Sequence, residues 1–267
     1  MPDDLPGYLA ANRRLWDRWT HVHKDARFYD LDGFRQGLSR LGAVEREALG
    51  DVAGKTLLHL QCHFGLDTLL WARAGAQVTG VDFSDEAVAL ARTLADETGL
   101  PARFVASDLY DLPRVLDERF DVVFTSYGVL TWLPDLDRWA AVVARFLKPG
   151  GTFFIVEFHP LLGTFSEEGA PFHYSYFRQD APDRYEEHAS YADAEAAVNL
   201  PSYTWNHSLG AVVTALVQAG LRIEYVREHP FTVDSGAAFL AEQAPGRYVL
   251  REHPPTVPLM FSIRATR

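Results

Sequence analysis

Thr56-Leu57-Leu58-His59-Leu60-Gln61-Cys62-His63-Phe64-Gly65-Leu66-Asp67, with Val78-Thr79-Gly80-Val81-Asp82-Phe83-Ser84 shortly after it, decides the fold of this chain. An apolar run stops at a tight loop, and Leu66, Leu69, Leu70 and Ala74 then recur as one face of a helix. A second apolar run ends in a carboxylate. This reads as strand, loop, helix, strand, with Asp82 at the tip of the second strand. An acid there can accept both hydroxyls of a ribose, while the first loop holds whatever the sugar carries. The unit is expected to hold a nucleoside.

The alternation continues outward from this unit. Strands are expected at 55–60, 77–82, 102–106, 120–127 and 152–158, and helices at 66–74, 85–98 and from Asp135 through Trp139, Val143 and Leu147. Ser84 before Asp85-Glu86 suits a helix start, since a hydroxyl caps free amides and acids favour the positive end. Gly99 and Pro101 stop that helix, and Lys148-Pro149-Gly150-Gly151 turns the chain into the fifth strand. Further on, Leu209–Ala219 reads as a helix ended by Gly220, followed by strands at 221–227 and 258–265. Only a short helix, near Ala237–Ala241, is expected between those two strands, so they can pair antiparallel. The expected class is α/β: a seven-stranded, mostly parallel sheet with helices on both faces and an antiparallel last strand. Residues 1–50 are expected to form a helical lid segment and 51–267 the main domain. Residues 159–207 are rich in His, Tyr, Phe, Trp and Pro without a clean period, and are expected to be an insertion after strand five that helps form the acceptor pocket.

Bulk properties narrow the function classes. At 267 residues the chain can bury a large core. The net charge of −11, from 36 acids against 25 bases, is the reverse of what a phosphate-tracking nucleic-acid binder shows. Neither nucleic acid nor a membrane is an expected partner. The single cysteine, Cys62, rules out an internal disulfide, and ten scattered histidines, His21-x-His23 included, make no zinc pattern, so no metal is expected. No leader or spanning stretch is apparent, and a cytoplasmic monomer or homodimer is expected.

Taken together, these motifs resemble those of the class I, Rossmann-like methyltransferases that use S-adenosylmethionine. The resemblance runs in order over roughly residues 50 to 230, and the final strand fits too. The family's acid-x-Gly-x-Gly-x-Gly loop corresponds here to His59, Gln61, His63 and Gly65, so only the last glycine is kept. Asp82 falls on the ribose-binding acid, Ser107-Asp108-Leu109 on the segment that grips adenine, Phe120–Tyr127 on the motif closing strand four, and Leu147–Gly151 on the turn before strand five. More narrowly, Leu-His-Leu-Gln-Cys-His-Phe-Gly with Trp-Asn-His-Ser-Leu-Gly resembles a bacterial subgroup known only as methyltransferases, which names no acceptor. The resemblance implies S-adenosylmethionine as cofactor and methylation of a small molecule, at oxygen or nitrogen. The His63 side chain would crowd a diphosphate, whereas S-adenosylmethionine carries no phosphate. A nicotinamide-nucleotide oxidoreductase, for which Asp82 also suits, and a non-catalytic S-adenosylmethionine-binding regulator are the rival readings.

Candidate site residues follow from the rim to which an open parallel sheet brings its strand ends. For the cofactor these are Gln61, Cys62, His63, Gly65, Asp82, Phe83, Ser84, Asp108, Leu109, Ser126 and Tyr127, with Tyr29 from the N-terminal segment. Gln61 and His63 either touch the methionine tail or point away and leave only backbone amides, and Cys62 is either a thiolate or a small buried residue. Trp132, Glu157 and Trp205 are candidates for the acceptor side. His207 is the first candidate base, since imidazole titrates near working pH, with helix capping beside Ser208 as the alternative; His159 is the second, with a turn before Pro160 as the alternative. The aromatic residues Trp16, Trp19, Phe28, Tyr29, Phe172, Tyr174, Tyr176, Phe177 and Tyr185 either shield a pocket and attract a sulfonium or pack the N-terminal cover onto the sheet.

Overall fold

A computed structural model describes residues 4–166, 169–233, 237–252 and 256–267. The chain begins with α1 (Leu5–His23), α2 (Leu31–Arg35) and α3 (Ala43–Leu49). The alternating unit follows as β1 (Thr56–Leu60), α4 (Leu66–Arg73), β2 (Gln77–Asp82), α5 (Asp85–Thr98), β3 (Ala102–Ala106), α6 (Leu112–Val115), β4 (Phe120–Ser126), α7 (Leu136–Phe146) and β5 (Leu147–Phe158). Then come β6 (Asp183–Glu187), β7 (Leu200–Thr204), α8 (Leu209–Gln218), β8 (Arg222–His229), β9 (Leu240–Ala244), β10 (Arg247–Leu250) and β11 (Met260–Thr266).

Seven strands form one sheet in the order β3-β2-β1-β4-β5-β11-β8. The first five are mutually parallel, and β11 runs antiparallel to both β5 and β8. This is the expected sheet with its reversed last strand. Both faces are covered because alternate side chains of each central strand leave in opposite directions. Val123 and Phe153 pack into the layer holding Trp139 of α7 and Val212 of α8. Phe124 and Phe154 pack with Trp71 of α4 and Val88 of α5 on the other side. The helix starts follow local chemistry: Ser84 Oγ accepts the Ala87 amide at 3.0 Å, and Asp135 Oδ1 accepts that of Arg138 at 3.0 Å. Gly99 ends α5 in the left-handed conformation at φ 64°.

Two segments differ from expectation. The aperiodic insertion contains an antiparallel pair, β6 with β7, whose strands are too short and too exposed to leave a clean pattern. The short helix expected near Ala237–Ala241 is instead the start of a hairpin, β9 with β10. Pro245-Gly246 makes its turn, Gly246 taking φ 68°, and extended pairing across that turn replaces helix. Among the described residues no helix is long and apolar enough to cross a membrane.

Candidate active site

Every parallel strand delivers its carboxyl end to one rim, so the β1–α4 loop, the tip of β2 and the β4 loop become neighbours there. The loop after β1 keeps the backbone shape of a glycine-rich turn without the glycines. Gln61, His63 and Gly65 all take positive φ, at 55°, 51° and 77°. A left-handed conformation costs a residue with a Cβ roughly 1–2 kcal/mol, so two side chains are held there against a local penalty. Gly65 has no such choice: a Cβ would lie 2.5 Å from the Phe104 ring.

Asp82 ties this loop to the next. Its carboxylate accepts the His63 amide at 2.8 Å and the Ser84 amide at 3.0 Å. Burial pushes its carboxyl up to about 6, against the amides of Ser84, His63 and Phe83, which favour the charged form. Phe83 itself is half-buried beside it. Asp108 turns its own carboxylate to the Tyr110 amide at 2.7 Å, and Leu109 is buried in the core.

Two buried atoms of the loop have no hydrogen-bond partner, Gln61 Oε1 and His63 Nδ1. Gln61 Nε2 donates to the Val129 carbonyl at 3.1 Å, which fixes the amide orientation and leaves its oxygen as the open acceptor. Cys62 is buried, and burial together with Asp82 raises its thiol well above the ordinary value, so it sits as a small apolar residue and not as a thiolate.

Aromatic side chains from α1, from the segment after it and from the β4 loop gather over this loop. Trp16 meets the His63 ring edge-on at 5.1 Å and Trp132 at 5.4 Å, and Tyr29 lies 5.7 Å from His63 and 4.7 Å from Phe64. Ser84 Oγ donates to Asp17 Oδ1 at 2.6 Å, linking α1 to the tip of β2. Trp16, expected either to shield a pocket or to pack the N-terminal cover, and His23, which had no role beyond the discounted zinc pattern, both lie against this loop. Their signal was present, since 12, 16, 19, 20 and 23 recur on one face of a helix.

Beneath the loop lies a second polar set. His59, where the family carries an acid, bonds Thr68 Oγ1 through Nδ1 at 2.8 Å and faces Ser126 Oγ at 3.4 Å; burial lowers its imidazole to about 3. Ser126 Oγ donates to Asp67 at 3.3 Å, and Tyr127 donates to Glu45. Burial and the Glu45 charge push the Asp67 carboxyl up to about 6.

The remaining candidates are committed elsewhere. The Glu157 carboxylate accepts the amides of Val129, Leu130 and Phe158 at 2.8, 3.0 and 2.7 Å, so it shapes the β4 loop and has no oxygen turned to an acceptor molecule. The Trp205 amide bonds Thr131 O at 2.8 Å, and His207 Nε2 bonds Leu133 O at 2.7 Å. Those two residues brace the short turn Leu130–Trp132 from behind. Ser208 alone caps α8, and burial lowers His207 to about 4, so the capping role proposed for His207 is replaced by a carbonyl bond. His159 Nδ1 accepts the Leu161 amide at 3.1 Å, the turn alternative. Its Nε2 lies 3.0 Å from Glu228 without hydrogen-bond alignment, on the β8 side. Three strand spacings, about 14 Å, separate β5 from β2.

The residues present fit S-adenosylmethionine. A buried carboxylate at the tip of β2 has acceptor positions beyond its backbone donors, aromatic faces suit a sulfonium, and side chains at 61 and 63 stand where a diphosphate needs bare backbone. Fold and site together resemble those of the class I, S-adenosylmethionine-dependent methyltransferases.

Comparison with known proteins agrees. Residues 58–155 match a family model described as a methyltransferase domain. A ubiquinone biosynthesis O-methyltransferase of Photorhabdus laumondii is 32% identical over 133 residues, 48% of this chain and 55% of that one. The chain thus spans about half the length of the curated relatives it matches. Among solved structures, a putative S-adenosylmethionine-dependent methyltransferase from Listeria monocytogenes superposes with TM-score 0.58 at 19% identity, over 83% of this chain and 94% of that one. An S-adenosylmethionine-dependent methyltransferase from Mesorhizobium loti gives TM-score 0.56 at 23% identity, over 89% and 100%. Residues 58–155 thus match a methyltransferase domain, and the chain shares its fold with S-adenosylmethionine-dependent methyltransferases of known structure.

Proposed function

We propose that this chain transfers a methyl group from S-adenosylmethionine to a small-molecule acceptor, at oxygen or nitrogen. The observation that carries the reading is Asp82, buried at the tip of β2 and bonded to a loop whose positions 61, 63 and 65 all keep the left-handed backbone. The O-methyltransferase relatives favour oxygen.

When bound, S-adenosylmethionine supplies an electrophilic methyl group on a sulfonium. The chain's own part is positioning and exclusion of water. Asp82 would accept the ribose hydroxyls, and Asp108 would take the adenine amine. Gln61 Oε1, an acceptor without a partner, would face the methionine arm. Trp16, Tyr29 and Trp132 would shield the sulfonium with aromatic rings. Residues 1–50 and the 159–207 insertion act as one lid, since α1 binds the insertion through Trp19 Nε1 to Ala189 O and Arg18 Nη2 to Ala197 O, both at 3.0 Å.

Calorimetry with S-adenosylhomocysteine tests this. Asp82→Ala should weaken binding tenfold or more, in keeping with loss of charge-assisted hydrogen bonds worth about 1.5–3 kcal/mol each. Unchanged affinity would remove Asp82 from the site. Stabilisation by NADH and not by S-adenosylhomocysteine in a thermal-shift comparison would replace the reading with the oxidoreductase one.

A further inference from the structure

His23 of α1 is completely buried and holds a chain of hydrogen bonds that crosses from the lid to the cofactor loop. Its Nδ1 lies 2.8 Å from His63 Nε2, and its Nε2 lies 2.6 Å from Ser190 Oγ in the insertion. Ser190 Oγ also accepts the Ala192 amide at 3.2 Å. At the other end, His63 Nδ1 is buried without a partner, and the His63 ring lies among Trp16, Tyr29 and Phe64, with Trp132 packed on Trp16. No carboxylate acts on either ring; burial alone holds His23 near 3, and burial with the neighbouring His23 lowers His63. Both imidazoles are therefore neutral, and the chain can run in either of two proton registers. In one of them His63 Nε2–H donates to His23, His23 Nε2–H donates to Ser190, and His63 Nδ1 presents a lone pair.

We propose that His63 Nδ1 receives the hydroxyl of an aromatic acceptor, a phenol, and that the His63–His23–Ser190 chain holds the proton this hydroxyl gives up. The proposal rests on the methyl-transfer reading above and names its acceptor class. Aromatic rings gathered edge-on around one unpartnered nitrogen suit a flat ring carrying a hydroxyl, which gains ring contacts and one hydrogen bond at its edge. The step balances. The acceptor O–H bond breaks and its proton passes to His63 Nδ1; the oxygen pair forms the O–CH₃ bond; the C–S pair leaves with sulfur as a neutral thioether. One positive charge disappears at sulfur as one arises on the shared imidazoles, so the net charge of the dry site is unchanged. That compensation lets two strongly desolvated histidines accept a proton at this step alone. His63 is the catalytic residue, and His23 is a positioning residue that fixes its register.

The test needs no knowledge of the natural acceptor. The full chain loaded with S-adenosylhomocysteine is titrated with 4-nitrophenol and with 4-nitroanisole, which differ only in the methylated oxygen, and binding is followed by absorbance. The phenol should bind at least tenfold tighter than the ether. His23→Phe should erase that preference, and His23→Gln, whose amide can still bond His63 Nε2, should restore it. Calorimetry with S-adenosylhomocysteine reports separately on the cofactor site. If the wild type does not bind S-adenosylhomocysteine, the methyl-transfer reading falls. If it does, but the two probes bind alike, neither binds, or the preference survives in His23→Phe, this inference is overturned. Should His23→Phe also lose S-adenosylhomocysteine, the comparison of His23→Gln with the wild type decides: a kept preference supports the chain and a lost one overturns it.

Discussion

Asn12 treats Tyr203 as a neighbouring strand would: its Nδ2 donates to the Tyr203 carbonyl at 2.7 Å, and its Oδ1 accepts the Tyr203 amide at 2.8 Å. One buried amide side chain thereby completes the edge of β7 and fastens the N-terminal helix to the insertion. Asn12→Leu leaves both backbone groups of Tyr203 without partners, at about 1–3 kcal/mol each where water is excluded. Thermal unfolding should show a Tm several degrees lower, and amide exchange at Tyr203 should quicken. An unchanged melt with unchanged protection would show that other contacts hold the two segments together.

At Gln61 the backbone and the side chain can be separated. Gln61→Ala removes the bond to Val129 O but keeps a Cβ at φ 55°, whereas Gln61→Gly removes both the bond and the strain. The glycine variant should be more stable than the alanine variant by about 1 kcal/mol in urea unfolding. The opposite order would mean that the loop relaxes when the side chain is cut.

For Glu157 the expectation is structural. Its carboxylate gathers the amides of Val129, Leu130 and Phe158, and burial raises its carboxyl against those bonds. Glu157→Gln turns an NH₂ toward amide hydrogens and should cost about 3 kcal/mol. Faster hydrogen exchange at the amides that Glu157 holds, those of Gly128, Val129, Leu130 and Phe158, is the expected signature, and a stability equal to wild type would contradict it.

His59 sets part of the acid sensitivity. Burial lowers its imidazole to about 3, below the unfolded value of 6.5, so the unfolded chain binds a proton between those limits and the folded chain does not. Its contribution is fully present above pH 6.5 and is lost as pH falls toward 3, by up to about 1.4 kcal/mol per pH unit. His59→Gln should therefore lose less stability than wild type between pH 7 and pH 5 in chemical unfolding. Equal losses would place the titration elsewhere, for instance on His23.

Much of the frame was legible because it rests on short-range pattern. Strand and helix limits around the β1–α4 loop fell within a residue or two of expectation, and Asp82 ends β2 bonded to that loop while Tyr29 packs on His63 within it. The insertion was not legible. β6 and β7 pair with each other and with the side chain of Asn12, a relation that no local period records. His207, Glu157 and His159 carry residue types suited to catalysis, yet each is bound to nearby backbone, and only coordinates show a polar atom already satisfied.

Apolar periodicity, helix caps and one acid after a strand were enough to fix the parallel sheet, its reversed last strand and the rim of strand ends, because each depends on residues a few positions apart. Tertiary structure decided which polar atoms remain open at that rim. His23, His63 and Ser190 come from three distant segments, and hydrogen-bond geometry with burial, which no sequence spacing encodes, made them one chain.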